Sequence, residues 1–258
     1  MLDTRVVGRD KQLSYNDYRD PVTKQLDIKQ FSQDLYQPDR TLLGKEQMTW
    51  LQKNVSQSSS QWQMLGQQVL MAKMLIPVEV FAGDDIANTP ARLATLKTLK
   101  DTLDAGATLT PEQQQRLASM MPYNLDAWDG YPKEREDLYD LFSAQNKRLV
   151  VVAGDTHNAW HSKLKDKAGY VVGVEFATPG ITSPGMEKYL KLTHGNAQVV
   201  AENLSSLIAE LEYCNLHQRG YMVVTITPES ASAKWHFVDN ILSDEYRVID
   251  THQASYQA

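Results

Sequence analysis

Arg148-Leu149-Val150-Val151-Val152-Ala153-Gly154-Asp155-Thr156-His157-Asn158-Ala159-Trp160 is the stretch around which the rest of the chain is organised. Leu149 to Val152 form a short apolar run of mostly β-branched residues. That is the composition of a strand buried on both faces, and the run stops at Gly154. Asp155 and His157 follow, two residues apart on extended or turning backbone, so both side chains can lean to the same side beyond the strand's carboxyl end. Open α/β sheets place their sites there. An ionised carboxylate supplies hard oxygen and a neutral imidazole a borderline nitrogen, a pairing that suits a di- or trivalent cation. Asp155 equally suits a helix N-cap followed by a surface imidazole at His157, and spacing alone does not choose.

Working upstream, Trp128-Asp129-Gly130-Tyr131-Pro132 is a turn feeding a helix over 133–145, with Leu138, Leu141 and Phe142 facing inward. Helix, strand and site loop in that order make a right-handed α/β unit. Trp128 and Tyr131 either wall a pocket or anchor the turn. Downstream, 158–165 is expected to be a short helix, which would put His161 on the same side as His157, as a second imidazole ligand or as an outer or exposed group. A strand over 170–176 and a loop over 178–185 come next.

Further out, Gly44 to Val55 reads as a helix with Gln47, Trp50, Leu51 and Asn54 near one face. Trp62 to Met71 suggests a strand of imperfect alternation, and Leu75 to Phe81, interrupted by Pro77, an irregular or edge piece. Thr89-Pro90 and Thr110-Pro111 each offer a helix start, so 89–121 is expected to be an antiparallel helical insertion that covers or borders the site. Gly83-Asp84 superficially repeats the Gly154-Asp155 pair, but no buried strand leads into it, so a ligand role there is disfavoured. Residues 8–40 form a long polar loop carrying a helix near Ile28 to Leu35, the kind of excursion that serves as a lid. Val199 to Leu211 reads as an amphipathic helix, and 220–227, 234–239 and 246–250 as three strands.

The 258 residues, 42% hydrophobic and 22% charged, can bury one substantial core in one or two domains. A net charge of -6 argues against a nucleic-acid groove or an anionic membrane surface as the main partner. The lone Cys214 can form no internal disulfide and is read as a structural thiol near a helix end. No apolar run reaches transmembrane length, and no signal peptide is visible. His194, His217, His236 and His252 stand singly among these elements and read as structural or solvated.

The string Ala153-Gly154-Asp155-Thr156-His157-Asn158-Ala159-Trp160 resembles the C-terminal metal-binding motif of the alkaline phosphatase D (PhoD-like) family of metallophosphatases. Leu2-Asp3-Thr4-Arg5, Gln47-Met48-Thr49-Trp50-Leu51, Trp62 to Gln68 and Leu125-Asp126-Ala127-Trp128-Asp129-Gly130-Tyr131-Pro132 match that family in order. So do Val174-Glu175-Phe176, Thr182-Ser183-Pro184-Gly185, Arg219-Gly220-Tyr221 and Trp235 to Asp239.

The resemblance implies an α/β fold: part of a layered α/β/β/α metallophosphatase-like sandwich with a central mixed sheet and the helical hairpin as an insertion. It implies metal-dependent hydrolysis of phosphomonoesters or phosphodiesters with iron and calcium ions, in a periplasmic or secreted enzyme. Asp155 and His157 are then metal ligands. Arg5 is either a phosphate contact, its planar fork meeting two oxygens, or a surface arginine near a chain end. Asn158 orients the imidazole or fills a ligand position, Trp160 shields the centre from water, and the hydroxyls of the 178–185 loop touch phosphate or cap their loop.

Family members also carry an earlier half with a Gly-Asp strand end and an Asp-Asp-His-type segment. These supply most of the ligands and the nucleophile, and no such segment occurs here. Residues 1–258 are therefore expected to be a C-terminal half, weakly active or inactive without an upstream partner half and prone to self-association through an exposed apolar sheet face or an unpaired edge strand. A catalytically inactive remnant acting as a binding or accessory module is the alternative. A third reading is a different hydrolase using Asp155, His157 and His161 alone.

Overall fold

The computed structural model describes residues 1–81 and 86–257, so the Gly83-Asp84 reading lies outside the described residues. At its centre β4 (Arg148–Ala153) runs between two parallel neighbours, β1 (Trp62–Gly66) and β6 (Val171–Ala177). Beyond β6 come β5 (Ala159–Lys165), antiparallel to it, and β7 (Leu211–Asn215), giving a mixed five-stranded sheet of order β1-β4-β6-β5-β7. The central strand is indeed buried on both faces. Leu149, Val151 and Ala153 join the core under the helices, while Val150 points into a second core shared with another sheet.

That second sheet is an antiparallel meander of β8 (Arg219–Ile226), β9 (Ser230–Val238) and β10 (Val248–Gln257). Ala231, Ala233, Trp235 and Phe237 alternate inward along β9 and meet Val150, Val174 and Phe176 of the central sheet, the two-residue period of a half-buried strand. Tyr221 and Val223 fall on the opposite face, where they are exposed.

On the other side of the central sheet lie α2 (Gly44–Gln57), α5 (Pro132–Ala144) and α7 (His194–Leu207), contributing Leu51, Val55, Leu138, Phe142, Val200 and Leu204. The layers are thus helix, sheet, sheet. The helical pair is present as α3 (Thr89–Asp104) and α4 (Pro111–Ala118), where a capping box at Thr110 and Gln113 starts α4. Leu93 and Leu96 of α3 enter the main core, and α3 packs on α7. Residues 75–77 and 120–122 pair as a two-stranded ribbon, β2 with β3. The long 8–40 segment is pinned rather than free. Its helix α1 (Ile28–Leu35) packs Phe31 and Leu35 onto Met121 and Leu125, and Arg40 donates to the Gly130 carbonyl at 2.8 Å.

Several local readings are corrected. Residues 159–165 are a strand, not a helix, because they complete the ladder between β6 and β7. The first strand ends at Gly66, and of the residues read onto one face of the 44–55 helix Leu51 is buried while Trp50 is exposed. The helix read as 199–211 starts at His194 and stops at Leu207, so Leu211 and Cys214 belong to β7. Cys214 is buried all the same, and burial pushes its thiol up to about 12.

Four buried carboxylate contacts hold one irregular segment in place. The backbone N–H groups of Met71 and Ala72 donate to Glu175, that of Lys73 to Glu210 and that of Met74 to Asp129. A segment with no strand partner must find acceptors elsewhere, and here acidic side chains supply them. Asp129 is itself ion-paired with Arg135 at 2.6 Å, with both side chains buried.

Candidate active site

Gln67, Gly154 and Thr178 follow directly on the parallel strands β1, β4 and β6, and their N–H groups continue the ladder to Val152, Gln68 and Ala153. The loops beyond these three strand ends therefore open on one side, the position at which such sheets carry sites. Asp155 and His157 sit in the loop after β4, both with left-handed backbone, at φ 64° and 59°. Non-glycine residues adopt that conformation at a cost and keep it where the surroundings enforce it.

The surroundings do so here. His157 is clasped by the loop after β6, its carbonyl accepting from Gly180 N at 3.0 Å and its Nδ1 lying 2.8 Å from the Pro184 carbonyl. A carbonyl only accepts, so Nδ1 is the donor in this contact, and Nε2 is the ring nitrogen left for another partner. A second clasp is Asn158, fully buried, whose amide donates to Leu216 O at 2.8 Å and accepts from Met186 N at 2.9 Å. Gly185 has to be glycine for this, since a Cβ there would stand 2.6 Å from both ends of the Asn158 amide. Trp160 is buried in the helix-side core and donates from its indole to Thr156 Oγ1 at 2.7 Å, bracing the same loop.

Arg5 reaches the site from the other side. Leu2 N donates to Gly66 O at 2.8 Å, Thr4 N to Gln68 Oε1 at 2.9 Å, and Asp3 N to Gln47 Oε1 at 2.7 Å. Those contacts explain why the Leu2-Asp3-Thr4-Arg5, Gln47 and Gln68 motifs occur together. The Arg5 guanidinium then bridges two carboxylates, Nη1 to Asp126 Oδ2 at 2.5 Å and Nη2 to Asp155 Oδ1. Burial works against its charge, but the two carboxylates outweigh that and raise its pKa. Arg9 holds the other oxygen of Asp126 at 2.6 Å. Near Asp155, burial lifts the Tyr123 phenol to about 12, so it stays neutral and able to donate.

Arg5 and Asp155 are therefore brought together, His157 lies two positions on in the same loop with its ring against the Pro184 carbonyl, and Asn158 and Trp160 brace that loop. His161 is not part of this group. It points between the sheets, 5.5 Å from the Phe176 ring and 6.4 Å from the Trp235 ring, and burial lowers its pKa to about 4. The reading that joined it to Asp155 and His157 depended on a helix that is a strand. Trp128 and Tyr131 are anchors: fully buried, the first donates to Gln67 Oε1 and the second to Asp10 O. Asp126, Arg9 and Tyr123 were not singled out from the sequence. Asp126 lies inside a quoted motif, but its partners are 117 and 121 positions away.

A family model described as PhoD-like phosphatase matches residues 1–235. The chain belongs to the PhoD-like phosphatase family. It is 28% identical over 228 residues to alkaline phosphatase D of Bacillus subtilis (strain 168), an alignment covering 86% of this chain and 31% of that protein. A solved structure titled "Structure of PhoD" superposes with a TM-score of 0.61 at 23% identity, covering 99% of this chain and 39% of that one. This second likeness concerns the fold. The chain thus spans about a third of the length of these PhoD relatives.

Whether the residues suit the iron and calcium of the PhoD-like resemblance is decided by the donors. Such cations take about six donors each. Among the described residues, no group of three or more His, Cys, Asp or Glu side chains stands together to hold a metal ion. Asp155 and His157 offer one carboxylate and one imidazole, and the carboxylate is already paired with Arg5. The described donor set does not fit such a cluster by itself. No described helix is long and apolar enough to cross a membrane.

Proposed function

We propose that this chain carries the Arg5, Asp155 and His157 wall of a phosphate-ester hydrolase centre, acting on phosphomonoesters or phosphodiesters outside the cytoplasm. The observation that supports this reading most directly is that the Arg5 guanidinium, from 150 positions away, meets Asp155 in the backbone-strained Asp155–His157 loop where the parallel strands end. Arg5 presents a planar set of donors suited to phosphoryl oxygens, and binding them offsets charge that grows on those oxygens during displacement. His157, with Nδ1 committed to the Pro184 carbonyl, offers Nε2 either to accept a proton or to ligate. Asn158 and Trp160 keep the loop in its high-energy shape. The metal ions implied by the resemblance would need donors beyond Asp155 and His157.

Turnover of p-nitrophenyl phosphate and bis(p-nitrophenyl) phosphate, alone and with calcium and ferric ions, tests the proposal. We expect weak turnover that falls at least about a hundredfold in Asp155→Asn, His157→Ala and Arg5→Met, the usual scale for a positioned acid–base or electrostatic group. Turnover indifferent to all three substitutions would overturn it. A chain that binds phosphate but never turns over either ester would favour the accessory-module reading.

A further inference from the structure

Glu187 and Arg219 take no part in the roles assigned above, yet both bear on the loop that clasps His157. Glu187 lies in the short helix α6 (Met186–Tyr189), directly after that loop. Both of its carboxylate oxygens accept from Gly185 N, each at 3.1 Å. Gly185 N and the Pro184 carbonyl belong to one peptide plane, and that carbonyl is the one 2.8 Å from His157 Nδ1. The N–H side of a single peptide thus meets a carboxylate while its C=O side meets the imidazole. The next N–H, that of Met186, is spent on Asn158 Oδ1 at 2.9 Å. A four-residue helix supplies little rigidity of its own, so side chains set the tilt of this plane.

Glu187 is in turn held from the second sheet. Arg219, the first residue of β8, pairs with Glu187 Oε1 through Nη2 and donates from Nη1 to Gln218 O at 3.2 Å. Its side chain is 6% exposed, against 20% for that of Glu187. Arg219 Nε has no hydrogen-bond partner among the described residues, a condition that buried donors rarely keep, so the guanidinium is not there to satisfy itself. The charged contact it does make is to Glu187. The neighbouring Gly220 N donates to Gly180 O at 3.2 Å, so β8 grips the same loop at both of its ends.

We propose that Glu187 is a positioning residue that acts on His157 through the Pro184–Gly185 peptide, with Arg219 as its anchor. The proposal rests on the phosphate-ester reading of the site, in which His157 works through Nε2. A carboxylate on a peptide N–H is a charge-assisted contact. It fixes the peptide plane and, by polarising the group, makes the carbonyl at the other end a stronger acceptor. The stronger acceptor keeps a ring proton on Nδ1 and leaves the Nε2 lone pair for the site. Outer partners of this kind orient an imidazole and raise its basicity. Without Glu187 the same peptide could tilt, and either ring nitrogen could then carry the proton.

Nitrogen NMR of the histidine side chains tests this on the full chain at pH 8, with the His157 signals assigned by their loss in His157→Ala. It reads which ring nitrogen carries the proton and how fast that proton exchanges with water. In the wild type we expect the Nδ1–H form with slowed exchange. Glu187→Gln, which keeps the shape and removes the charge, should speed the exchange about tenfold and populate the Nε2–H form, the difference between a charge-assisted and a neutral contact. Arg219→Met should do the same and Arg219→Lys should restore part of it. Glu187→Gln, on the more exposed partner, decides the matter if Arg219→Met folds poorly. In Glu187→Gln, kcat for p-nitrophenyl phosphate should fall about ten- to a hundredfold with KM little changed. A wild-type ring in the Nε2–H form, or a tautomer and exchange rate indifferent to Glu187→Gln, overturns the proposal whatever the variant does to stability. A tautomer that responds in a chain with no turnover at all would sink the phosphate-ester reading and leave the Glu187 relay standing.

Discussion

Arg135→Met should be among the most destabilising single substitutions in this chain, for reasons that can be followed atom by atom. Arg135 and Asp129 are 3% and 2% exposed. The guanidinium donates to Asp129 at 2.6 Å and reaches the Met71 carbonyl at 3.3 Å, while the other Asp129 oxygen accepts from Met74 N at 2.9 Å. Replacing Arg135 leaves a carboxylate buried with one backbone donor, and breaking such a pair costs about 3–5 kcal/mol. For 258 residues, at about 2.1 cal/mol/K of unfolding entropy per residue, that loss lowers Tm by about 6–9 °C. The sign of the pH dependence follows as well. Burial already holds the Asp129 carboxyl above its ordinary range against the pull of Arg135. Without Arg135 it rises further, so the folded state binds its proton more tightly and the defect eases as pH falls through the raised value. Thermal unfolding monitored by circular dichroism at pH 7 and pH 5 checks both points. Adding Asp129→Asn to Arg135→Met should recover more than half of the loss. A shift under about 2 °C, or a double variant no better than the single one, would refute the view that an unpaired charge is the cause.

Two further outcomes are expected. Burial pushes Glu175 and Glu210 up to about 7. An acid whose folded pKa lies above its unfolded one loses stabilising power as pH rises between the two, so relative to Glu175→Gln the wild type should lose about 3 kcal/mol between pH 4.5 and 7. Urea midpoints of the pair at several pH values measure that difference, and parallel curves would sink the argument. Because Asp155 and His157 are too few donors and Arg5 occupies one of them, calcium should bind the chain no more tightly than about 10⁻⁴ M, with Arg5→Met improving it. Isothermal titration settles the point, and a submicromolar site in the wild type would contradict it.

Much of the frame is legible without coordinates. The Leu149–Val152 run is apolar at every position because its alternate residues enter two different cores, and only a strand between two layers needs that. The helix starts at Pro90 and Pro111 and the inward face of 133–145 are equally local, resting on caps and a 3.6-residue period. Asp155 and His157 stand out because a strand end and a glycine announce them.

Local pattern fails where pairing decides. Ala159, Trp160, Ser162 and Leu164 are all buried, and that spacing can be wound as a helix turn; the sheet between β6 and β7 is what draws the segment out as a strand. The end of α7 fails for the same reason, since Leu211 continues the apolar face of the helix but begins β7 and pairs with Ser162 of β5. Glu175 in the midst of a buried strand carries no local sign of the Met71 and Ala72 N–H groups that need it, 104 and 103 positions away. Nor does Arg5 carry any sign of Asp126 and Asp155, 121 and 150 positions on. Sequence alone therefore determined the central strand, the family motifs and the two residues at its mouth, because these depend on neighbours in the chain. The meeting of Arg5 with Asp126 and Asp155 was decided by tertiary structure, because ion pairs form between groups that packing brings together, whatever their separation along the chain.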